Sequence, residues 1–368
     1  LIYSVSSNRD WIVDDYAFVG TAGADGTTSY AVVNNFGADV AADDWLISPP
    51  VDLSVYSNPT LGFMIYKRFS DDASFGLEAY LSTDYPGNGD PSASTWNPLG
   101  LESFGYPAAD TTWEERMLDL SAHASETGAV IAFRHQSYGT SAGSSVQWRL
   151  DEISLNSAAR IDGEAGWRLL AFPTSSGGSA ADLLDDTAVQ GIPGTQGSEF
   201  DANLLLYGSD GQLRPPASLE SQLEPGQGFA LYFFDNSSAG SQPLPVNLDK
   251  RGPEPVSTVS TPLNTVPGSL IGGSHFTLIG NPYGRSYSLS DLQTDVCCIQ
   301  ENIQTWDPAV GSYVPVAWSQ YVASPWQGFF VETVADGTVP TQLQFPLSGI
   351  GGSGSGKSLH PTSAEHMT

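Results

Sequence analysis

Short apolar runs that alternate with a period of two dominate this sequence, and they limit the folds open to it more than any other feature. Examples are Ser29–Phe36 (SYAVVNNF), Thr60–Phe69 (TLGFMIYKRF) and Gly228–Phe234 (GFALYFF). Turn-forming residues separate the runs and draw on 39 glycines and 25 prolines. A strand at intervals of roughly 8–12 residues is typical of β-sandwiches. We therefore predict an all-β protein, with short helices only at Ser179–Leu184 and Leu289–Gln293.

The net charge of the chain limits the kinds of partner that it can bind. The 368 residues include 41 acidic and 13 basic side chains, for a formal net charge of −28. Nucleic acids and anionic membrane surfaces are polyanions, so this charge disfavours both as partners. An acidic surface suits a soluble protein in a salty or calcium-containing extracellular medium, or it serves only to keep the protein in solution. No run approaches the ~20 apolar residues of a membrane span, so we predict no membrane insertion.

The start of the sequence and its two cysteines indicate the cellular location of the protein. The sequence begins at Leu1 and shows no signal peptide, as expected of a processed secreted protein or of a piece of a longer one. We expect an extracellular or cell-surface protein. The two cysteines, Cys297 and Cys298, are adjacent. Neighbouring cysteines form only a strained disulfide, so a disulfide-stapled scaffold is excluded, while two ordinary thiols and a redox pair both stay open.

A weak internal repeat organises the second part of the chain. Three blocks recur in the same order: WRLLAFPTSSGGSAADLL and FTLIGNPYGRSYSLSDL, NLLLYGSDGQLRPPA and NIQTWDPAVGSYVPVA, and PGQGFALYF and PWQGFFVET. Repetition of this kind indicates a duplicated β unit, and we expect the sheets of its two halves to pack face to face. In the third block, Gly228 and Gly328 are candidates for the positive φ of a tight turn.

These patterns divide the chain into three parts. A strand ends near Leu155 and a polar stretch follows it. We predict a first domain over residues 1–157 and a duplicated β-sandwich region over 164–348, with halves 164–262 and 263–348. The Gly/Ser-rich residues 349–368 read as a flexible tail.

Three blocks near the start carry a family resemblance. Asn34–Ser54 contains DDWLISP, Leu77–Leu99 is a strand followed by an acidic Gly-rich loop and Trp96, and Trp113–Leu155 contains AFRH and LDEI. In this order, over residues 10–156, they resemble the choice-of-anchor J and cleaved-adhesin jelly-roll modules of secreted, cell-surface Bacteroidota proteins. The repeated part, with its opening at Gly166–Pro173, resembles the β-sandwich region that follows such modules in type IX-secreted proteins. The resemblance implies a jelly-roll β-sandwich followed by a second β-sandwich region.

The sequence departs from the family at its start. The family's first strand, with its Phe-Glu, has no clear counterpart before Leu1, which puts in doubt any calcium site that draws on that glutamate. A missing first strand would leave a sheet edge open, and open edges invite strand addition from a second copy. Self-association is therefore one expected kind of partnership.

Calcium is the metal that the acidic residues favour. Calcium takes six to eight oxygen ligands, so clustered Asp and Glu residues are the signal to look for. The candidates are Asp43 and Asp44, and Asp151 and Glu152. In the resembling modules the second pair lies near a structural calcium. Alternation along a strand would let only one of Asp151 and Glu152 enter a site. The alternative is that these acids cap turns or pair with the arginines at 134 and 149.

The sequence contains short matches to catalytic and nucleotide-binding motifs, but the residues around them do not support either function. Gly139–Gly143 (GTSAG) matches a nucleophile elbow, but a strand and no helix follows it. Gly351–Ser358 (GGSGSGKS) matches a phosphate-binding loop, yet only ten residues come after it. The five histidines show no zinc-binding spacing. We predict no catalytic residues and no enzymatic activity.

Tryptophans near the end are the candidate ligand-binding residues: Trp306, Trp318 and Trp326. Flat aromatic faces stack on sugar rings or anchor a protein partner. Aromatic pairs at repeated positions, Tyr207 with Trp306 and Phe229 with Phe329, are equally explained as shared core. We predict a non-catalytic protein of adhesion, ligand binding or surface assembly, whose partner is an extracellular glycan or protein. The alternative is a carbohydrate-binding accessory region of a larger secreted hydrolase.

Overall fold

The computed structural model is all-β, as predicted. It describes residues 1–4, 9–14, 23–24, 29–69, 76–101, 111–137, 140, 146–195, 197–198, 200–234, 244–264, 274–294, 299–334 and 342–351. The chain divides into two compact units. The N-terminal unit comprises Leu1–Ser54 and Pro59–Leu155, and the C-terminal unit comprises Val55–Asn58 and Asn156–Thr368. Among the described residues, no helix has the length and apolar character needed to cross a membrane.

Two five-stranded sheets make up the described part of the N-terminal unit, in the orders β1-β4-β9-β6-β7 and β2-β3-β10-β5-β8. The strands are β1 (Ile2–Ser4), β2 (Ile12–Asp14), β3 (Tyr30–Val33), β4 (Asp43–Ile47), β5 (Pro59–Arg68), β6 (Leu77–Ser82), β7 (Asn97–Pro98), β8 (Trp113–Asp119), β9 (Val130–Gln136) and β10 (Gln147–Ser157). Short 3-10 helices occupy Leu53–Val55, Pro91–Ala93 and Ser121–His123. Successive strands from β3 to β6 alternate between the sheets, as in a jelly roll.

One core fills the space between these two sheets. Phe63 of β5 and Phe133 of β9 belong to different sheets, and their rings meet edge to face at 5.0 Å. Trp11 and Trp148, each exposed by 1% or less, belong to the same cluster. Alternation along each strand sends one set of side chains into this core and leaves the other set on an outer face.

The edge strand β1 corrects the expectation of an open edge beside β4. Ile2, Tyr3 and Ser4 pair antiparallel with Leu46, Trp45 and Asp44. The N-terminal amino group of Leu1 also donates a 2.6 Å hydrogen bond to the carbonyl oxygen of Ile47. The opening residues LIYS therefore supply a short first strand without the Phe-Glu signature of the family.

The C-terminal unit contains fifteen strands over its described residues: β11 (Ala159–Ile161), β12 (Gly166–Ala171), β13 (Leu204–Tyr207), β14 (Leu213–Arg214), β15 (Gly228–Phe233), β16 (Val246–Leu248), β17 (Val259–Pro262), β18 (Ser274–Gly280), β19 (Tyr287–Ser288), β20 (Gln293–Thr294), β21 (Asn302–Asp307), β22 (Ser312–Ala317), β23 (Val322–Ala323), β24 (Gly328–Val334) and β25 (Gln342–Phe345). Short 3-10 helices lie at Ala180–Leu183, Leu289–Asp291, Trp318–Gln320 and Leu347–Gly349. Two of them fall where the sequence predicts short helices.

The two halves of this unit repeat one topology, as the sequence repeat predicts. One four-stranded sheet has the order β12-β15-β13-β14, and the other has the corresponding order β18-β24-β21-β22. Each half has its own core, with Phe229 at 0% exposure in the first and Phe329 at 0% in the second. A third cluster, which includes Leu169 and Phe330, joins the two sheets face to face. Strand β17 lies at the end of the predicted first half (164–262) and pairs with β25 of the second half.

Reciprocal contacts relate the halves to each other. Gln227 bridges to Ile279, and at the equivalent repeat positions Gln327 bridges to Leu170. Gly228 and Gly328, expected to adopt positive φ, instead lie in strands where the other half approaches closely. A Cβ on Gly228 would lie 2.8 Å from the carbonyl oxygen of Ile279, and one on Gly328 would lie 2.7 Å from the backbone nitrogen of Leu170. These glycines are needed because a side chain would separate the halves.

Candidate functional site

An aromatic cluster on the outside of the N-terminal sandwich is the best-formed candidate site. Along β4 and β9, Leu46 and Phe133 pack into the core between the sheets, whereas Trp45 and Ala132 pack together in a separate cluster. Since neighbouring residues of a strand point to opposite faces, this second cluster lies on the outer face of the β1-β4-β9-β6-β7 sheet. We call it the aromatic face and define it as Tyr3, Trp45, Tyr80, Tyr85 and Trp96, with Arg134 and Asp43 beside them.

Trp45 forms the centre of the aromatic face and is 3% exposed. Its ring centroid lies 5.0 Å from that of Trp96 and 5.7 Å from that of Tyr80. Tyr3, Tyr80 and Trp96 are only half-buried, so each of these residues keeps some contact with solvent. A buried indole that holds partly exposed rings around it gives a rigid apolar surface.

An ion pair borders the aromatic face. The Nε and Nη2 atoms of Arg134 donate to the two carboxylate oxygens of Asp43 at 2.8 and 2.7 Å. The guanidinium carbon also lies 4.8 Å from the centroid of the Trp45 ring. The hydrogen bond to Asp43 raises the pKa of Arg134, and a hydrogen bond that Arg134 donates to Tyr80 adds to this effect. Side chains of this pair are 27% and 21% exposed, so polar atoms remain accessible beside the rings.

The loop over residues 83–96 holds Tyr85 and Trp96 in place through its own hydrogen bonds. The Tyr85 hydroxyl donates to the carbonyl oxygen of Gly89 at 3.0 Å, and the Trp96 indole N–H donates to that of Pro91 at 2.8 Å. Asp84 accepts from the Ser82 hydroxyl at 2.8 Å. That bond, followed by one from the backbone of Thr95, lowers the pKa of Asp84. The acids of this loop therefore shape the loop itself.

The aromatic face has the chemical features of a sugar-binding surface. The C–H faces of a pyranose ring stack on flat aromatic side chains. Carboxylate and guanidinium groups at the border, here Asp43 and Arg134, accept from and donate to hydroxyl groups. The two kinds of contact lie on the same sheet face.

The predicted calcium ligands Asp43 and Asp44 point to opposite faces of β4. Asp43 pairs with Arg134, one of the two alternatives the sequence left open. Asp44 is fully buried and accepts a 2.6 Å hydrogen bond from the hydroxyl of Ser4. Its second oxygen lies 3.6 Å from Nδ1 of His135, which is 1% exposed.

The other pair, Asp151 and Glu152, lies in the second sheet, on β10. The carboxylate of Asp151 accepts from the backbone N–H groups of Ala24 at 2.9 Å and Glu152 at 2.8 Å. Glu152 has a φ of +48°, which interrupts the alternation of the strand. Leu150 points into the core before this position, and Leu155 packs against the core after it. Leu150 and Leu155 are five positions apart, an odd number, yet both side chains face the core. The strand therefore contains a β-bulge, which simple alternation does not predict.

These four acids do not fit the coordination shell of a single calcium ion. Asp43 and Asp44 belong to one sheet, and Asp151 and Glu152 belong to the other. Within the part of the chain that the structure describes, no group of three or more His, Cys, Asp or Glu side chains could hold a metal ion. Calcium binding stays a prediction from the resemblance.

The three candidate tryptophans lie in three different clusters. Trp306 is half-buried where the halves of the C-terminal unit meet, 5.0 Å from Tyr313. Trp318 packs against the core of the second half. Trp326 is wrong as a surface residue, since it is 0% exposed and packs in the core of the first half. In the repeat, Trp326 corresponds to Gly226, which has no side chain, so the alignment did not indicate a buried position.

Several sequence motifs fall outside the described residues. These are Cys297 and Cys298, the serine of GTSAG at 141, and all of GGSGSGKS beyond Gly351.

The sequence contained a usable signal for the aromatic face. Trp45, Tyr80, Trp96 and Arg134 all lie in the blocks that carry the family resemblance. Alternation predicts the faces of Trp45 and Arg134 within their own strands, but only the strand order places β4, β9 and β6 side by side.

Comparison with known proteins finds only partial likenesses. No protein-family model matches the sequence, and no curated protein matches it. Among solved structures, a β-1,2-glucanase from Parabacteroides distasonis is 16% identical over 46% of this chain and 27% of its own, with a TM-score of 0.28. The chain thus spans about a quarter of that enzyme.

Two further solved structures are small modules. The K1 cleaved adhesin domain of Lys-gingipain from Porphyromonas gingivalis W83 is 22% identical over 43% of this chain and 98% of its own, with a TM-score of 0.25. A family 11 carbohydrate-binding module from Clostridium thermocellum is 12% identical over 42% of this chain and 86% of its own, with a TM-score of 0.25. The first is the kind of module that the sequence resembles. Likenesses at these TM-scores assign neither a family nor a ligand to this chain.

Proposed function

We propose that this chain is part of a non-catalytic protein of the cell surface or extracellular space, and that its N-terminal unit binds a glycan through the aromatic face. One observation carries the proposal: the half-buried side chains of Tyr3, Tyr80 and Trp96 surround the buried ring of Trp45 on the outside of a sheet. Apolar rings that remain partly in contact with water are typical of binding surfaces.

The polar groups at the border of the aromatic face would orient a bound glycan. Asp43 and Arg134 form an ion pair, so this part of the surface offers both acceptors and donors. The net charge of −28 on the whole chain repels polyanions. A neutral extracellular glycan fits both properties better than a sulfated or phosphorylated one.

A glycan array probed with the full chain tests the proposal, followed by calorimetry on the strongest neutral ligand. We expect Trp96→Ala and Tyr80→Ala each to weaken binding by about tenfold, since stacking contacts are worth about 1 kcal/mol or more. Phe36→Ala is the matched control, because Phe36 is a 58% exposed aromatic residue of the same unit outside the aromatic face. Thermal unfolding of each variant separates lost binding from lost folding.

Two results would contradict the proposal. One is binding that is unchanged in both Trp96→Ala and Tyr80→Ala. The other is binding that is lost only in Trp306→Ala or Trp318→Ala, which would move the site to the C-terminal unit. The non-catalytic part has its own readout: incubation of the bound glycan with the protein should release no new reducing ends.

A further inference from the structure

Arg149 is a fully buried cation whose described contacts include no carboxylate. It lies on β10, between the core residues Trp148 and Leu150, and therefore points to the outer face of the β2-β3-β10-β5-β8 sheet. Its exposure is 0%. The Nε and Nη2 atoms donate to the amide oxygen of Gln147 at 3.2 and 3.0 Å. The Nη1 atom is buried and has no hydrogen-bond partner in the described part of the chain.

Two tyrosine rings contact this guanidinium. Its central carbon lies 4.8 Å from the ring centroid of Tyr30 and 4.5 Å from that of Tyr66. Tyr30 belongs to β3 and Tyr66 to β5, the two strands on either side of β10. Trp113 of β8 contacts both tyrosines, with centroids at 5.9 and 5.2 Å. Tyr30 and Tyr66 are 3% and 2% exposed, whereas Trp113 is only half-buried.

Among the residues that the structure describes, no carboxylate pairs with the positive charge of Arg149. A guanidinium stays protonated in proteins, so burial does not neutralise it. Isolated buried charges are costly and are normally paired with an opposite charge. The contacts of Arg149 are an amide oxygen and neutral rings, which favour the cation but do not neutralise it. An unused N–H donor and an unpaired positive charge on the same guanidinium group together favour an anion.

The shape of the surroundings favours one kind of anion. A carboxylate is planar and lies in the plane of a guanidinium when the two are hydrogen-bonded. The ring centroids of Tyr30 and Tyr66 lie 4.8 and 4.5 Å from the guanidinium carbon, and rings stacked on a guanidinium occupy the space above and below its plane. A tetrahedral sulfate or phosphate would extend out of the plane and meet the rings.

We propose that Arg149, with Tyr30 and Tyr66, forms a binding site for a carboxylate group, and that Nη1 is its hydrogen-bond donor. The carboxylate belongs either to a small free acid or to a uronic acid residue of a sugar. The half-buried Trp113 is the member of the site closest to solvent. This site lies on a different sheet from the aromatic face and does not depend on glycan binding there.

The test uses the full chain and three probes: sodium acetate, sodium galacturonate and neutral galactose, at an ionic strength held constant with sodium chloride. We expect a saturable rise of the melting temperature with a carboxylate and none with galactose, because a ligand bound by the folded state stabilises it. A rise with both acids identifies a site for free carboxylates. A rise with galacturonate alone identifies a sugar acid as the ligand.

Variants test whether Arg149 causes the rise of the melting temperature. Arg149→Lys keeps the charge but loses the planar donor group, and we expect it to weaken carboxylate affinity by about tenfold. Arg160→Gln is the control, because Arg160 is a 47% exposed arginine on β11 whose loss should leave the effect unchanged. The proposal is overturned by a wild-type protein with no saturable shift, a result that needs no variant. Equal carboxylate affinity in Arg149→Lys and the wild type would overturn it as well.

Discussion

Trp326 adopts, in the second half of the C-terminal unit, the left-handed backbone conformation that Gly226 adopts in the first, with φ values of +66° and +81°. A residue with a Cβ is disfavoured there, so the second half carries backbone strain that the first avoids. The indole ring compensates: its N–H donates to the carbonyl oxygen of Ser157 at 2.8 Å, and its centroid lies 5.3 Å from that of Phe172. The second half thus contributes a core residue to the first.

Removal of the Trp326 ring should destabilise the C-terminal unit strongly. We expect Trp326→Ala to lower the free energy of unfolding by about 3–5 kcal/mol, the usual cost of emptying a buried aromatic site. Trp326→Gly should be less damaging than Trp326→Ala by about 1 kcal/mol, because glycine tolerates the positive φ. Urea denaturation of both variants measures the two differences. Equal stabilities for the Gly and Ala variants would contradict the strain.

Gly228 and Gly328 should tolerate no side chain. A methyl group on either would lie within 2.8 Å of backbone atoms of the opposite half. We expect Gly228→Ala and Gly328→Ala to lower the free energy of unfolding by about 2 kcal/mol or more. Gly128→Ala is the matched control, because a Cβ at Gly128 meets nothing within 4 Å. Unchanged stability in Gly228→Ala and Gly328→Ala, or an equal loss in the control, would refute the close approach of the halves.

Alkaline pH should destabilise the protein through Tyr321. Burial raises the pKa of Tyr321 from 10 to about 12, although a hydrogen bond from Gln327 partly opposes this effect. The folded state keeps the phenol proton that the unfolded state loses. The free energy of unfolding should therefore hold its full value below pH ~10 and fall by about 3 kcal/mol between pH ~10 and ~12.

Comparison with Tyr321→Phe isolates this contribution. The variant lacks the titrating phenol, so its free energy of unfolding should fall less over the same pH range. Urea denaturation at pH 8 and at several values up to 12 gives both curves. Identical pH dependence in the two proteins would show that other groups cause the loss.

Calcium removal tests whether the acidic residues bind calcium, as the family resemblance implies, or only make the contacts seen in the structure. The resemblance predicts that a chelator lowers the melting temperature and that added calcium restores it. The contacts of Asp43 with Arg134 and of Asp44 with Ser4 and His135 predict no change. Asp44→Asn decides between them: a calcium ligand would lose the response to chelator along with its charge. A melting temperature that chelator does not move would remove calcium as a cofactor.

Local patterns in the sequence determined the kind of structure that forms. Period-two alternation predicted an all-β chain, because neighbouring residues of a strand face opposite sides whatever the partner strands are. The repeat predicted two similar halves, and the structure gives both the same strand order. These properties need only a residue and its near neighbours, so they can be read from one chain.

Only the tertiary structure decided which side chains meet. Trp45 and Arg134 are far apart in sequence and form one surface because β4 and β9 pair. Trp326 has an aromatic side chain like Trp318, yet it is buried because its turn points into the other half. The bulge at Glu152 changed the faces of the residues after it. Pairing, close approach and burial join distant residues, and a local pattern carries no information about such distances.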